Sequence, residues 1–145
     1  MSLDGVYQST NIFARILRGE IPRAQVLEDE HTLAFMDAYP QSPGHCLVIH
    51  KTSTARNLLD AEPQALADLI LTVQRVARAV RAALQPDGLV ITQFNGESAG
   101  QTVYHLHFHI IPRWDRVALG SHAAAMADMG ELQKMATAIS GAIGA

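Results

Sequence analysis

Histidine occupies every second position in Tyr104-His105-Leu106-His107-Phe108-His109-Ile110-Ile111, and Leu and Phe fill the gaps. Two is the period of a β-strand, in which successive side chains point to opposite faces. At a rise of roughly 3.3 Å per residue, alternate residues stand about 6.6 Å apart. The pattern predicts a strand over 104–111 with His105, His107 and His109 in a row on one face. Tyr104, Leu106, Phe108 and Ile110 then turn to a core. A buried imidazole needs partners for its ring nitrogens. Three in register on an otherwise apolar strand point to chemistry rather than packing.

The rest of the chain supplies the layers such a strand needs. Ser9, Thr10 and Asn11 offer capping oxygens ahead of a short helix, Ile12 to Leu17, whose apolar positions share one face, and Gly19 is a natural stop. Pro22 redirects the chain. Gln25–Glu28 and Thr32–Met36 read as a hairpin turned at Asp29-Glu30-His31. After a Pro- and Gly-containing loop over 37–44, a strand runs from His45 to His50. Thr52 or Ser53 is the expected cap of a short helix through Leu59. Pro63 suits the first position of a long helix, in which Leu66, Leu69, Ile70, Val73, Val76, Ala77, Val80 and Leu84 mark a buried face. Arg75, Arg78 and Arg81 on another face read as solvated. Pro86-Asp87-Gly88 ends the helix. Leu89–Phe94 is a further strand, and a Gly-rich polar loop over 95–102 leads into the histidines. Leu132, Met135, Ala136, Ile139 and Ile143 have helical spacing in the tail.

The count is five strands, one long helix and one or two short ones. That is an α+β domain with a five-stranded, mainly antiparallel sheet and its helices on one side. At 145 residues, 48% apolar and 17% charged, the chain fits one domain with a sizeable core. The expected division is a domain over 1–114 and an extension over 115–145, packed on that domain or on a partner subunit. A net charge of −3 argues against a broad nucleic-acid footprint but not against one bound nucleotide. Cys46 is the only cysteine, so a reducing, cytoplasmic location is the default. Residues 1–10 do not read as a secretory signal, and no run of about 18 apolar residues suggests a membrane span.

Two chemistries suit the histidine row. In one, neutral His107 attacks phosphorus through one nitrogen while the other donates to a fixed acceptor that sets the tautomer. His105 and His109 orient it, bind phosphoryl oxygens or move protons. Gln101 and Thr102, with the glycines of their loop, supply donors for the phosphate. In the other, the row binds a metal, with a further ligand from His31, His45, His50 or His122.

His105-Leu106-His107-Phe108-His109-Ile110-Ile111 resembles the His-φ-His-φ-His-φ-φ signature of the histidine-triad (HIT) nucleotide hydrolases and transferases, where φ is apolar. The likeness extends over residues 11–114. It takes in Ile12 to Pro22, the stretch from Glu28 to Asp37, Pro43-Gly44-His45-Cys46-Leu47-Val48-Ile49, and Ala99-Gly100-Gln101-Thr102-Val103-Tyr104. The resemblance implies a HIT-like homodimer that cleaves the bond between the α-phosphorus of a purine nucleotide and its substituent, through a nucleotidyl-histidine intermediate. It implies His107 as nucleophile, His109 on the α-phosphate oxygens and leaving group, His105 as the first triad member and His45 as a fourth, distant histidine. It also implies Gln101, Thr102 and, more loosely, Asn95 at the phosphates, Asp37 at the ribose, and Phe35 and Ile12 at the base. Histidine rather than glutamine at the third triad position favours a hydrolase over a uridylyltransferase. Many bacterial members carry a zinc-binding cysteine pair near the first helix. Here that stretch is Asn11-Ile12-Phe13-Ala14, and Ser53 stands where a further histidine is common, so no metal or other cofactor is expected. From a different class, a nucleotide-binding scaffold with little turnover is the alternative, and a histidine-ligated metalloprotein a lesser one.

Overall fold

In the computed structural model, which describes residues 2–120 and 125–144, the amphipathic segments form α1 (Ile12–Leu17), β1 (Gln25–Glu28), β2 (Thr32–Met36), β3 (Cys46–His50), α2 (Pro63–Leu84), β4 (Gly88–Thr92), β5 (His107–Arg113) and α3 (Met129–Ser140). The five strands make one antiparallel sheet in the order β1-β2-β3-β5-β4. Short 3₁₀ turns occupy Leu58–Asp60 and Glu97–Ala99. Asn57, rather than Thr52 or Ser53, caps the first of these, in a reciprocal capping box with Asp60.

Alternation along the strands sorts the core into two layers. Ala34, Val48 and Phe108 are cross-strand neighbours, as are Leu33, Ile49 and His107 one residue away. The first set faces α2 and α3, where Val26, Met36, Cys46, Ile110, Leu69, Val73, Val76 and Val80 are buried together. Burying each such side chain favours folding by about 1.5–3 kcal/mol. Leu33, Phe35, Leu47 and Ile49 meet Phe13 and Ile16 of α1 on the other face. The helices therefore do not all lie on one side. Six residues are enough for α1 to cover part of the second face, and the uncovered part is where the histidines project.

Two expectations shift in register. The histidine strand begins at His107, so Tyr104 and His105 precede it. Tyr104 is half-buried under the Arg56 guanidinium, 4.7 Å from its ring centroid, instead of entering the core. Ile70 is 51% exposed, because the buried face of α2 is centred on Leu69, Val73, Val76 and Val80. In the tail, α3 lays Leu132, Ala136 and Ile139 against the main core, and the Asp128 side chain caps it.

Gly44 is a position where the backbone requires glycine. Its φ is +93°, and a Cβ there would run into the Leu84 side chain and approach Pro112. The turn over 41–44 can thereby close tightly in front of His45.

Candidate active site

Beside α1 the sheet opens into a cavity of about 740 Å³ with an almost wholly apolar wall. That is a volume in the range of small-molecule sites. Ile12, Phe13, Ile16 and Phe35 form its apolar end, and Asp37, Thr102, His107 and His109 bring polar atoms to it. Met126, Met129 and Leu132 of the C-terminal segment complete the wall. That segment is tied down by the Ala127 N–H, which donates to the Ala38 carbonyl at 2.8 Å.

His107 leads β5 opposite Ile49, and His109 follows opposite Leu47. Their ring centroids are 5.0 Å apart, and the Phe13 ring stands edge-on to His107 at 4.8 Å. His107 Nδ1 lies 2.8 Å from the His105 backbone carbonyl. A carbonyl only accepts, so Nδ1 carries the proton and Nε2 the lone pair.

A second chain of hydrogen bonds fixes His109. The Gln41 backbone N–H donates to His45 Nδ1 at 3.1 Å. An N–H only donates, so neutral His45 carries its proton on Nε2, 2.9 Å from His109 Nδ1 and 3.4 Å from the Asp37 carboxylate. His109 Nδ1 then accepts, which puts its proton on Nε2. The two strand histidines are thus set in opposite tautomers, His107 with a lone pair on Nε2 and His109 with a proton there. Asp37 is buried, and its other oxygen accepts from the Tyr39 N–H at 2.8 Å.

His105 stands apart. It is buried but does not line the cavity. Its Nδ1 is 2.7 Å from the Tyr7 hydroxyl, and its ring also bonds the His50 backbone carbonyl. Burial pushes its pKa down to about 4, so the ring is neutral at ordinary pH.

Of the loop residues expected at the phosphates, Thr102 reaches the cavity, whereas Gln101 and Asn95 do not line it. Gln101 is buried, accepts from the Gly96 N–H and donates to the carbonyls of Arg56 and Val103. Asn95 accepts from the Leu58 N–H and the Gln93 amide. Both side chains hold the loop in shape. Sequence reasoning missed Tyr7, the Gln41 amide and the methionines of the C-terminal wall. Phe13 was legible only as part of the buried face of α1.

Two groups of described side chains gather possible ligand atoms, His31 with His50 and Asp68, and Asp37 with His45 and His109. Hydrogen-bond directions argue against a metal at either. His50 Nδ1 accepts from the backbone N–H groups of Thr52 and Ser53 at 3.2 and 3.0 Å, so its proton sits on Nε2, bonded to Asp68 at 3.0 Å. A histidine that ligates through Nε2 needs the reverse, a lone pair there and a donor at Nδ1. His45 is oriented in the same way by Gln41. Instead, the His50 ring holds the Asp68 carboxyl below the usual carboxylate range. The zinc of cysteine-bearing relatives has no better fit. Asn11 caps α1 through the Ala14 N–H, Ala14 offers no side-chain donor, and Tyr7 occupies the His105 nitrogen. His122 lies outside the described residues.

A family model described as HIT domain matches residues 18–116. The chain is similar to "Protein hit" of Bacillus subtilis, 44% identical over 105 residues that cover 72% of each chain. A crystal structure of a HIT-like protein involved in cell-cycle regulation from Bartonella henselae superimposes with a TM-score of 0.90 at 45% identity, over 96% of this chain and 100% of that one. A zinc-bound histidine triad family protein from Mycobacterium smegmatis gives 0.79 at 34% identity, over 92% of each.

Proposed function

The chain belongs to the HIT domain family, and we propose that it is a nucleotide hydrolase acting on the α-phosphorus of nucleoside phosphoramidates, adenylylated small molecules or dinucleoside polyphosphates. The observation that carries this reading is the opposite tautomers of His107 and His109, the first set by the His105 carbonyl and the second by the His45 ring, itself oriented by the Gln41 backbone N–H. One presents a nucleophilic lone pair and its neighbour a proton.

In the reaction, His107 Nε2 bonds to the α-phosphorus as the bond to the substituent breaks. His109 Nε2–H donates a hydrogen bond to the phosphoryl oxygens, steadying the charge that gathers there, and the leaving atom takes its proton from solvent. Water then attacks the nucleotidyl-His107, its hydroxyl bonds to phosphorus as the bond to His107 Nε2 breaks, its proton goes to solvent, and a nucleoside monophosphate leaves. Ile12 and Phe35 hold a purine base, Asp37 the ribose hydroxyls, and Thr102 the phosphate.

The apolar edge of the sheet supports a homodimer. β4 ends the strand order, and its Val90 and Ile91 are 37% and 42% exposed. An edge strand with exposed apolar residues is a pairing surface.

Single-turnover mixing with adenosine 5′-phosphoramidate, and separately with diadenosine tetraphosphate, tests the reading. Adenylate on the peptide that contains His107, detected by mass spectrometry without acid, is the expected result. Tight binding of AMP with no adduct and no turnover of either substrate would overturn it in favour of a binding protein.

A further inference from the structure

We propose that Tyr7 is a positioning residue for the nucleophile: its hydroxyl fixes the His105 ring, and the His105 carbonyl in turn fixes the tautomer and aim of His107. This rests on the covalent reading above for its catalytic consequence, but not for its geometry.

The directions of the bonds are determined. The His50 carbonyl can only accept, so the His105 nitrogen facing it carries the proton. Nδ1 then holds the lone pair, and the Tyr7 hydroxyl donates to it at 2.7 Å. Both ring nitrogens of His105 are engaged away from the cavity. The residue therefore acts through its main chain, whose carbonyl receives the His107 Nδ1 proton at 2.8 Å.

That carbonyl needs support because the sheet does not give it any. The ladder between β3 and β5 stops at the Ile49–His107 pair. The peptide that joins His105 to Leu106 is tethered beyond the ladder by the Leu106 N–H, which donates to the Ala55 carbonyl at 3.0 Å. One tether leaves rotation about its own axis. Clamping the His105 ring between Tyr7 and the His50 carbonyl removes that freedom. Phe13 packs edge-on against both His105 and His107, at 6.3 and 4.8 Å between centroids.

Tyr7 is itself delivered by a segment anchored elsewhere. The Asn57 amide donates to the Leu3 carbonyl at 3.0 Å, and the Arg56 side chain lies against Gly5. Loss of the phenol oxygen alone leaves these anchors in place. Tyr7 does not line the cavity, so its removal takes nothing from the substrate contacts.

The test is Tyr7→Phe, His105→Leu and the double variant, each assayed with adenosine 5′-phosphoramidate and each examined by long-range ¹H–¹⁵N NMR of the histidine rings. For Tyr7→Phe the expected result is a fall in kcat of about tenfold with KM changed less than about twofold. The His107 signals move from a single Nδ1–H tautomer to a mixture. His105→Leu keeps the carbonyl but has no side-chain acceptor for Tyr7, so adding Tyr7→Phe to it costs no further activity. A parent-like kcat with an unchanged His107 tautomer in Tyr7→Phe overturns the proposal, as does full additivity of the two substitutions. If the parent forms no adduct, the covalent reading fails, and the tautomer in Tyr7→Phe still decides the positioning role.

Discussion

His45 and His109, 64 residues apart in sequence, are joined ring to ring, with Nε2 of the first 2.9 Å from Nδ1 of the second. Neither strand holds this bond by itself. His45 stands at the end of the turn closed by Gly44, where the Gln41 amide reaches its Nδ1. Leu47, two residues on, pairs with His109 across the sheet.

His45→Ala removes the donor that keeps the His109 proton on Nε2. A fall in kcat of about 10²-fold is expected, with a smaller change in KM, since His45 does not line the cavity. Steady-state kinetics with adenosine 5′-phosphoramidate measures both.

His105 makes stability depend on pH. The native ring takes a proton at about 4, against 6.5 for an unperturbed histidine, because it is buried. Between those values the unfolded chain binds more protons, so stability falls as pH drops from 6.5 towards 4 and this contribution levels off below that. The difference amounts to roughly 3 kcal/mol. Urea unfolding at a series of pH values shows the slope, and His105→Gln reduces it by about one proton.

Gly44→Ala is expected to destabilise the fold by about 2–4 kcal/mol, from the positive φ and the collision with Leu84 together. A urea midpoint lowered with an unchanged m-value would be the signature. Surviving folded protein should also lose activity, because the shifted turn carries the Gln41 amide away from His45.

Cys46 is buried, and burial together with the charge of Asp37 pushes its thiol up to about 12. At pH 8 it should resist thiol reagents in the native protein and react at the rate of opening. Rapid stoichiometric labelling would show that the strand carrying it opens far more readily than its packing implies.

Ile91→Lys places a charge on the exposed edge of β4. A dimer that uses this edge shifts to monomer, as read by light scattering coupled to size exclusion. A parent and variant of equal mass would direct attention to another face.

The alternation of apolar and polar residues was enough to determine the sheet and its two faces. Leu47 and Ile49 turn to one layer and Cys46 and Val48 to the other, as period two requires. The same logic brought out His107 and His109, because side chains two apart on a strand must share a face. Tertiary structure decided where the ladder stops, and therefore that His105 lies behind the cavity rather than beside its neighbours. It also decided each tautomer, through the Gln41 amide and the carbonyls of His105 and His50. Main-chain donors and acceptors are present at nearly every residue, so their roles leave no mark on residue identity. Tyr7 carried no signal for a different reason. It is one aromatic in an irregular segment, and only the folded chain brings its hydroxyl to a histidine 98 residues away.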